Sequence, residues 1–221
     1  MNRLRPRDTA TIRRLRRQIS KELAPLDRAG VLALARDLVD SGDNNARWVA
    51  YELVRDHAAS MARITATEIE RLGAGLCGWD GVDAFSCFIS GRAWRMGRIS
   101  DAAIRRWARS KDRWWRRAAL VSTIPLNVRS QGGTGDVART LAVCELLLDD
   151  RDEMVTKAMS WALRALSVRD AAAVAKFVEK HEGRLAALVK REVRNKLRTG
   201  LKNPKTKPAR SASSGRRATS P

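Results

Sequence analysis

The fold class is decided by residues 151–200, RDEMVTKAMSWALRALSVRDAAAVAKFVEKHEGRLAALVKREVRNKLRTG. Apolar residues recur there three and four positions apart, as they do on one face of a helix. Val155, Met159, Ala162 and Leu166 form such a face in the first segment. The same spacing runs through most of the 221 residues, with only six prolines and no strand-like alternation. The sequence therefore predicts an all-α protein.

Clusters of glycine, asparagine, aspartate and proline divide the chain into predicted helices. These cover 8–22, 26–40, 44–60, 65–73, 81–97, 101–110, 113–124, 135–149, 152–166, 170–181 and 184–199. Paired helices at such intervals predict an α–α superhelix of HEAT-like repeats, each of about 40–47 residues. A solenoid of this kind offers an extended concave face, which we expect to be basic.

We expect a single domain over residues 1–200, with a basic N-terminal helix region at 1–24 and a disordered tail at 201–221. The tail has almost no apolar residues, so burial cannot offset the entropy lost on ordering it. It is interpreted either as a phosphate-binding arm whose effect weakens with salt or as a solubilising segment.

The distribution of charged residues along the chain indicates what kind of partner the protein binds. The chain carries 44 Lys and Arg against 24 Asp and Glu, a formal net charge of +20. The excess is local, because residues 92–117 hold ten basic and two acidic groups, whereas residues 21–91 hold seven and eleven. A cationic patch of this kind favours a polyanionic partner.

Several function classes are disfavoured. Three cysteines without a CxxC spacing do not make a disulfide scaffold or a zinc ribbon. The two histidines, His57 and His181, are expected to be ordinary surface or helix residues, and no phosphate-cradling loop, Ser-His-Asp triad or metal site can be assembled. No apolar run suits a signal peptide or a membrane span. We expect a soluble cytoplasmic protein without cofactor or metal, nucleoid-associated if the chain is bacterial.

Two positively charged regions contain candidate binding residues. Arg117 shares a helix face with apolar residues, which is typical of an arginine that holds a fixed anion or, alternatively, an Asp or Glu in a structural salt bridge. Its neighbour Arg116 is expected to be a free surface group. Trp161 falls beside Lys157 and Arg164, which suits contact with a nucleotide; the alternative is a tryptophan that covers a neighbouring repeat.

Asp83 is an acidic residue in an otherwise basic candidate binding surface. It lies four residues after Trp79, on a helix that Asp80 is expected to cap. In a surface that attracts phosphates an acid weakens binding, unless it stabilises positive charge on a sugar or holds a water molecule. The alternative is a first-turn acid that the helix dipole favours.

Four segments in order carry a family resemblance: Gly78–Asp83, Trp107 with Ser110–Ala118, Lys157–Arg164, and Phe177 with Arg191–Leu197. Together they resemble the AlkD-like DNA alkylation repair family of HEAT-like glycosylases, over roughly residues 30–200. The resemblance implies hydrolysis of the N-glycosidic bond of cationic alkylated purines, such as 3-methyladenine and 7-methylguanine, in duplex DNA. It also implies a reaction without base flipping, metal or nucleotide cofactor.

The resemblance also implies residue roles. Asp83 would stabilise the oxocarbenium-like sugar and position the water, while Trp79 and Trp161 would contact the lesion nucleotide; these are the three catalytic candidates. Arg117 would hold a phosphate near the lesion. The predicted DNA-binding residues are Arg117, Arg116, Lys157, Arg164, Trp114 and Lys111. We expect a monomer whose partner is double-stranded DNA with alkylated bases, and no membrane partner.

The sequence departs from the family at three positions. Gly78, Ser160 and Ala165 stand where the family often has Trp, Gly and Glu. One alternative function is therefore a noncatalytic HEAT-like protein that recognises damaged or unusual DNA. Another is a protein–protein scaffold, which would need an uncharged concave face and is disfavoured by Lys157 and Arg164.

Overall fold

The computed structural model describes residues 26–204, together with residues 14, 17–19 and 21. All regular elements within 26–204 are helical, which confirms the predicted all-α class. The predicted helix 8–22 and the tail 201–221 lie largely outside the described residues, and the extent of the domain stays a prediction. None of the described helices is long and apolar enough to cross a bilayer.

The helices follow one another with short connections. They are α1 Arg28–Asp40, α2 Asn44–Asp56, α3 Ala58–Arg63, α4 Ala66–Leu72, α5 Trp79–Phe85, a π turn Ser86–Ser90, α6 Gly91–Arg95, α7 Asp101–Ala108, α8 Arg113–Val121, α9 Ile124–Asn127, a 3₁₀ turn Arg129–Gln131, α10 Val137–Leu146, α11 Glu153–Leu166, α12 Ala171–Lys180 and α13 Ala187–Thr199.

The helices form two rows. In the inner row, α2, α5, α8, α11 and α13 each pack on the next. Outer helices pair with four of them: α1 with α2, α7 with α8, α10 with α11, and α12 with α13. Repeated helix pairs stacked in this way make an α–α solenoid, as predicted. The inner row brings side chains from distant parts of the sequence onto adjacent helices.

Most repeats are shorter than the 40–47 residues of the predicted HEAT unit. The inner helices begin at Asn44, Trp79, Arg113, Glu153 and Ala187, so their starts are 35, 34, 40 and 34 residues apart, and only the step from α8 to α11 reaches the predicted length.

Two predicted helices are interrupted. The helix predicted at 44–60 breaks at His57, whose backbone is extended and whose ring accepts the N–H of Ser60 to begin α3. The helix predicted at 81–97 begins earlier, at Trp79, and contains the π turn, where the Gly91 N–H donates to the Ser86 carbonyl. Asp80 therefore lies in the first turn of α5 rather than capping it, and Gly78 is the N-cap residue.

The π turn is held against α8 at close range. The hydroxyls of Ser90 and Ser122 lie 2.7 Å apart. A Cβ atom at Gly91 would come within 2.5 Å of the Ser122 carbonyl oxygen, so only glycine permits this approach. π turns often occur at functional sites, and this one directly follows the helix that carries Asp83.

The other predicted boundaries differ little. The helix predicted at 113–124 ends at Val121, and Ile124 starts a separate short helix with Pro125 as its second residue. The remaining predicted helices agree within three residues at each end. The predicted caps are confirmed at three helices, where Ser100, Asp112 and Asp170 each accept a first-turn N–H.

Candidate active site

An aromatic pocket of about 400 Å³ lies along the inner row. Helices α2, α5 and α11, with the π turn and the 3₁₀ turn, supply its walls. The lining residues are Asn44, Asn45, Trp48, Trp79, Asp80, Asp83, Ala84, Cys87, Phe88, Gln131 and Trp161. All three catalytic candidates thus meet in one cavity. A larger cavity of about 570 Å³ around Trp107 contains none of the predicted site residues.

Tryptophans form the walls of the aromatic pocket. Trp79 is the first residue of α5 and is 50 % exposed. Trp161 is half-buried on α11, and the core face of that helix is buried as predicted. Trp48 packs edge-on against Phe88 with 5.4 Å between ring centroids. Flat apolar walls of this kind suit a sugar or a base.

Asp83 and Arg117 form a bidentate salt bridge across α5 and α8. The Arg117 Nε donates to Asp83 Oδ1 at 2.9 Å, and Nη2 donates to Oδ2 at 2.8 Å. A third bond runs from Arg117 Nη1 to the Met154 carbonyl of α11 at 2.5 Å. Only 7 % of the Arg117 side chain is exposed, against 18 % for Asp83. Arg117 therefore forms a structural salt bridge with an acid, which was the alternative interpretation of its sequence position. Its contact with a phosphate stays a prediction.

The salt bridge leaves Asp83 with accepting capacity toward the pocket. A carboxylate offers about four lone-pair sites, and Arg117 takes one on each oxygen. Burial raises the pKa of Asp83 above its ordinary value of 3.8; the two Arg117 hydrogen bonds oppose this rise, and Asp80 adds to it. The structure therefore holds Asp83 in a fixed orientation, and within the described part of the chain its remaining lone pairs accept no further hydrogen bond.

Cys87 is an unreactive part of the wall. Burial raises the pKa of its thiol to about 12, and the neighbouring Asp83 contributes. At neutral pH this side chain is a neutral thiol, which is a poor nucleophile. The carboxylate of Asp83 is consequently the better candidate for chemistry than the sulfur beside it.

The predicted DNA-binding residues on α8 and the turn before it lie outside the pocket lining. Arg116 was expected to be free, but this prediction is wrong. Its Nε donates to Asp150 at 2.7 Å, and Nη1 donates to the carbonyls of Ser110 and Lys111. Arg116 therefore stabilises the turn that precedes α8. The side chain of Lys111 is exposed, and Trp114 is half-buried with the Arg113 guanidinium 4.9 Å above its ring.

The two cations predicted beside Trp161 differ from each other. Lys157 is exposed and forms an ion pair with Glu153 at 2.5 Å, one turn back on α11. Arg164 is half-buried and donates to Ser160 at 3.2 Å. Ser160 in turn donates to Glu192 of α13, and this network links the last two inner helices. Lys157 is therefore the more accessible cation for a phosphate.

Sequence reasoning missed four of the residues that line the pocket. Asn44, Asn45 and Trp48 reach it from α2, and Gln131 reaches it from the 3₁₀ turn. Among the described residues, Trp48 Nε1 and Gln131 Oε1 are buried without a hydrogen-bond partner. No motif signalled them, because they join Asp83 only through the packing of neighbouring repeats.

No group of three potential metal ligands occurs among the described residues. A family model described as DNA alkylation repair enzyme matches residues 7–197. The chain belongs to this family. The match confirms the resemblance that the four segments carry, and it indicates an enzyme with DNA as partner. Curated proteins and solved structures give no significant match.

Two departures from the family pattern have structural reasons. A Cβ atom at Gly78 would lie 2.8 Å from Asp80 Oδ1, so a tryptophan there would displace this carboxylate. Ser160 is fully buried, and its hydroxyl joins Arg164 and Glu192. Trp79, Asp83 and Trp161 line the pocket despite these departures.

Proposed function

We propose that this protein is a monofunctional DNA glycosylase that removes cationic alkylated purines, such as 3-methyladenine and 7-methylguanine, from duplex DNA. The observation that carries the proposal is the Asp83 carboxylate, fixed by Arg117 in the wall of a pocket that contains Trp79 and Trp161. In a surface that only binds phosphates, an acid in this position would weaken binding.

The chemistry begins with loss of the base. The bond between C1′ and the purine nitrogen breaks, and its electron pair neutralises the cationic base, so no strong general acid is needed. Positive charge develops on the sugar as an oxocarbenium ion. Asp83 stabilises this charge, because a fixed carboxylate in a partly dry site needs no reorganisation as the charge forms.

Water completes the reaction. A water molecule held by Asp83 adds to C1′ and gives its proton to the Asp83 carboxylate, from which it passes to solvent; the products are an abasic sugar and an intact strand. Arg117 acts as a positioning residue, since its fork fixes the orientation of both Asp83 oxygens. The positive charge of Arg117 also balances the negative charge of the mostly buried Asp83.

The proposal is tested with purified protein and bulk duplex DNA methylated by a nitrosourea. We expect chromatography to detect free 3-methyladenine and 7-methylguanine, and no normal bases. Salt-sensitive binding without any released base would instead support the noncatalytic DNA-binding alternative.

Replacement of Trp79 by alanine tests the aromatic wall. We expect the ratio kcat/KM for excision to fall about 10-fold, within the range found when one aromatic contact to a nucleotide is lost. Trp79→Phe should restore most of this loss. The control is Val168→Ala, which shortens a 68 % exposed apolar side chain outside the pocket. Equal rates for Trp79→Ala and the wild type would show that the ring does not contact the substrate.

A further inference from the structure

Three arginines lie near residues that line the aromatic pocket or adjoin its lining, namely Phe88, Cys87 and the neighbour of Gln131. The guanidinium carbon of Arg55 is 4.6 Å from the centroid of the Phe88 ring. Arg95 packs on Gly132, the residue after Gln131, where an added Cβ atom would meet its Nη2 at 3.0 Å. Arg92 is close enough to Cys87 of the pocket wall to influence its thiol electrostatically.

Only one of these arginines forms an ion pair within the described part of the chain. Arg55 donates to Glu52 at 3.1 Å and to Asp56 at 2.6 and 2.9 Å. Arg92 and Arg95 form no hydrogen bond or ion pair with any described residue, and the Nε of Arg92 is buried. Burial and the nearby charges of Arg55 and Arg95 lower the pKa of Arg92, and the charge of Asp56 opposes this only in part.

A half-buried guanidinium without an acceptor is unfavourable, because it has lost water and gained no partner. The structural arginines of this protein show the contrast, since Arg116 and Arg117 each make three or more hydrogen bonds. A phosphate would supply what Arg92 lacks. It carries negative charge, and its oxygens accept the paired N–H groups of a guanidinium.

We propose that Arg92 and Arg95 bind a backbone phosphate of the DNA strand whose damaged nucleotide occupies the aromatic pocket. The assignment of that strand rests on the proposed function, whereas the phosphate contact itself does not. The contact lies near Phe88 and Gln131 of the pocket lining and is separate from the cations of α11. It fixes the strand from a second side, so that the sugar is presented to Asp83.

The test is DNA binding as a function of salt. Each lost phosphate contact lowers the slope of log K against log salt concentration by about one unit. We expect this reduction for Arg92→Gln and for Arg95→Gln, with methylated and unmodified duplex alike. Arg92→Lys keeps the charge but not the paired donors, so it should retain most of the slope and bind less tightly. The matched control is Arg105→Gln on the outer helix α7, where the side chain is exposed.

The outcomes separate the two proposals. If Arg92→Gln and Arg95→Gln have the same salt slope as Arg105→Gln, the phosphate site is overturned. A lowered slope in a protein that releases no base supports the phosphate site and contradicts the glycosylase. A final measurement uses inorganic phosphate alone. If phosphate raises the melting temperature of the wild type but not of Arg92→Gln, and both proteins bind DNA with equal salt slopes, the site binds free phosphate and the proposed DNA contact is overturned.

Discussion

Replacement of Asp83 by asparagine is expected to lower the single-turnover rate of base release on the order of 10²- to 10³-fold, the loss found when one preorganised charge-stabilising group is removed. The neutral amide cannot stabilise a cationic sugar, although it occupies the same volume. DNA affinity should not fall and should rise slightly, because Asp83 contributes repulsion rather than attraction toward phosphates.

The pH dependence provides a second readout for Asp83. The wild-type rate should fall as the pH is lowered through the pKa of Asp83, because the protonated acid carries no charge. This pKa is raised, so the fall should occur above pH 3.8, the ordinary value of an aspartate. The residual rate of Asp83→Asn should lack this acid limb. Asp149→Asn removes the same charge from an exposed ion pair with Arg184 and serves as the control.

Loss of Arg117 is expected to have the largest effect on stability. Arg117→Ala leaves Asp83 as a mostly buried charge without its partner and leaves the Met154 carbonyl without its donor. Removal of one partner from a buried pair costs about 3–5 kcal/mol in the free energy of unfolding. Denaturant titration measures this change. Excision should fall as well, since Asp83 loses its fixed orientation.

Two controls distinguish this loss from a general effect of removing an arginine. Arg184→Ala breaks an ion pair whose side chains are 54 % and 65 % exposed, and such solvent-screened pairs contribute little to stability. Replacing both partners by apolar residues, Asp83→Leu with Arg117→Met, should recover much of the stability. It should not recover excision. Equal losses for Arg117→Ala and Arg184→Ala would contradict the structural account of the pair.

The sequence predicted the fold because helical spacing is a local signal. The core face of α11 and the caps at Ser100, Asp112 and Asp170 depend only on residues a few positions apart. The interruptions at His57 and at the π turn escaped prediction because each is stabilised by a specific contact. In the π turn, this is the close approach of Gly91 to α8.

The site was predicted in part for the same reason. Trp79 and Asp83 share one helix face, so their proximity follows from spacing alone. The bond between Asp83 and Arg117 joins residues 34 positions apart, and spacing within one helix cannot reveal it. Composition likewise could not show that Arg116 is held by Asp150 while Arg92 lacks a partner among the described residues.

The most direct test of the central claim uses a duplex with a single 7-methylguanine and a label on the damaged strand. The account predicts that the wild-type protein releases 7-methylguanine as the free base, and that the strand breaks only after alkali treatment of the abasic site. An unchanged duplex, or a strand that is cut without alkali, would contradict it.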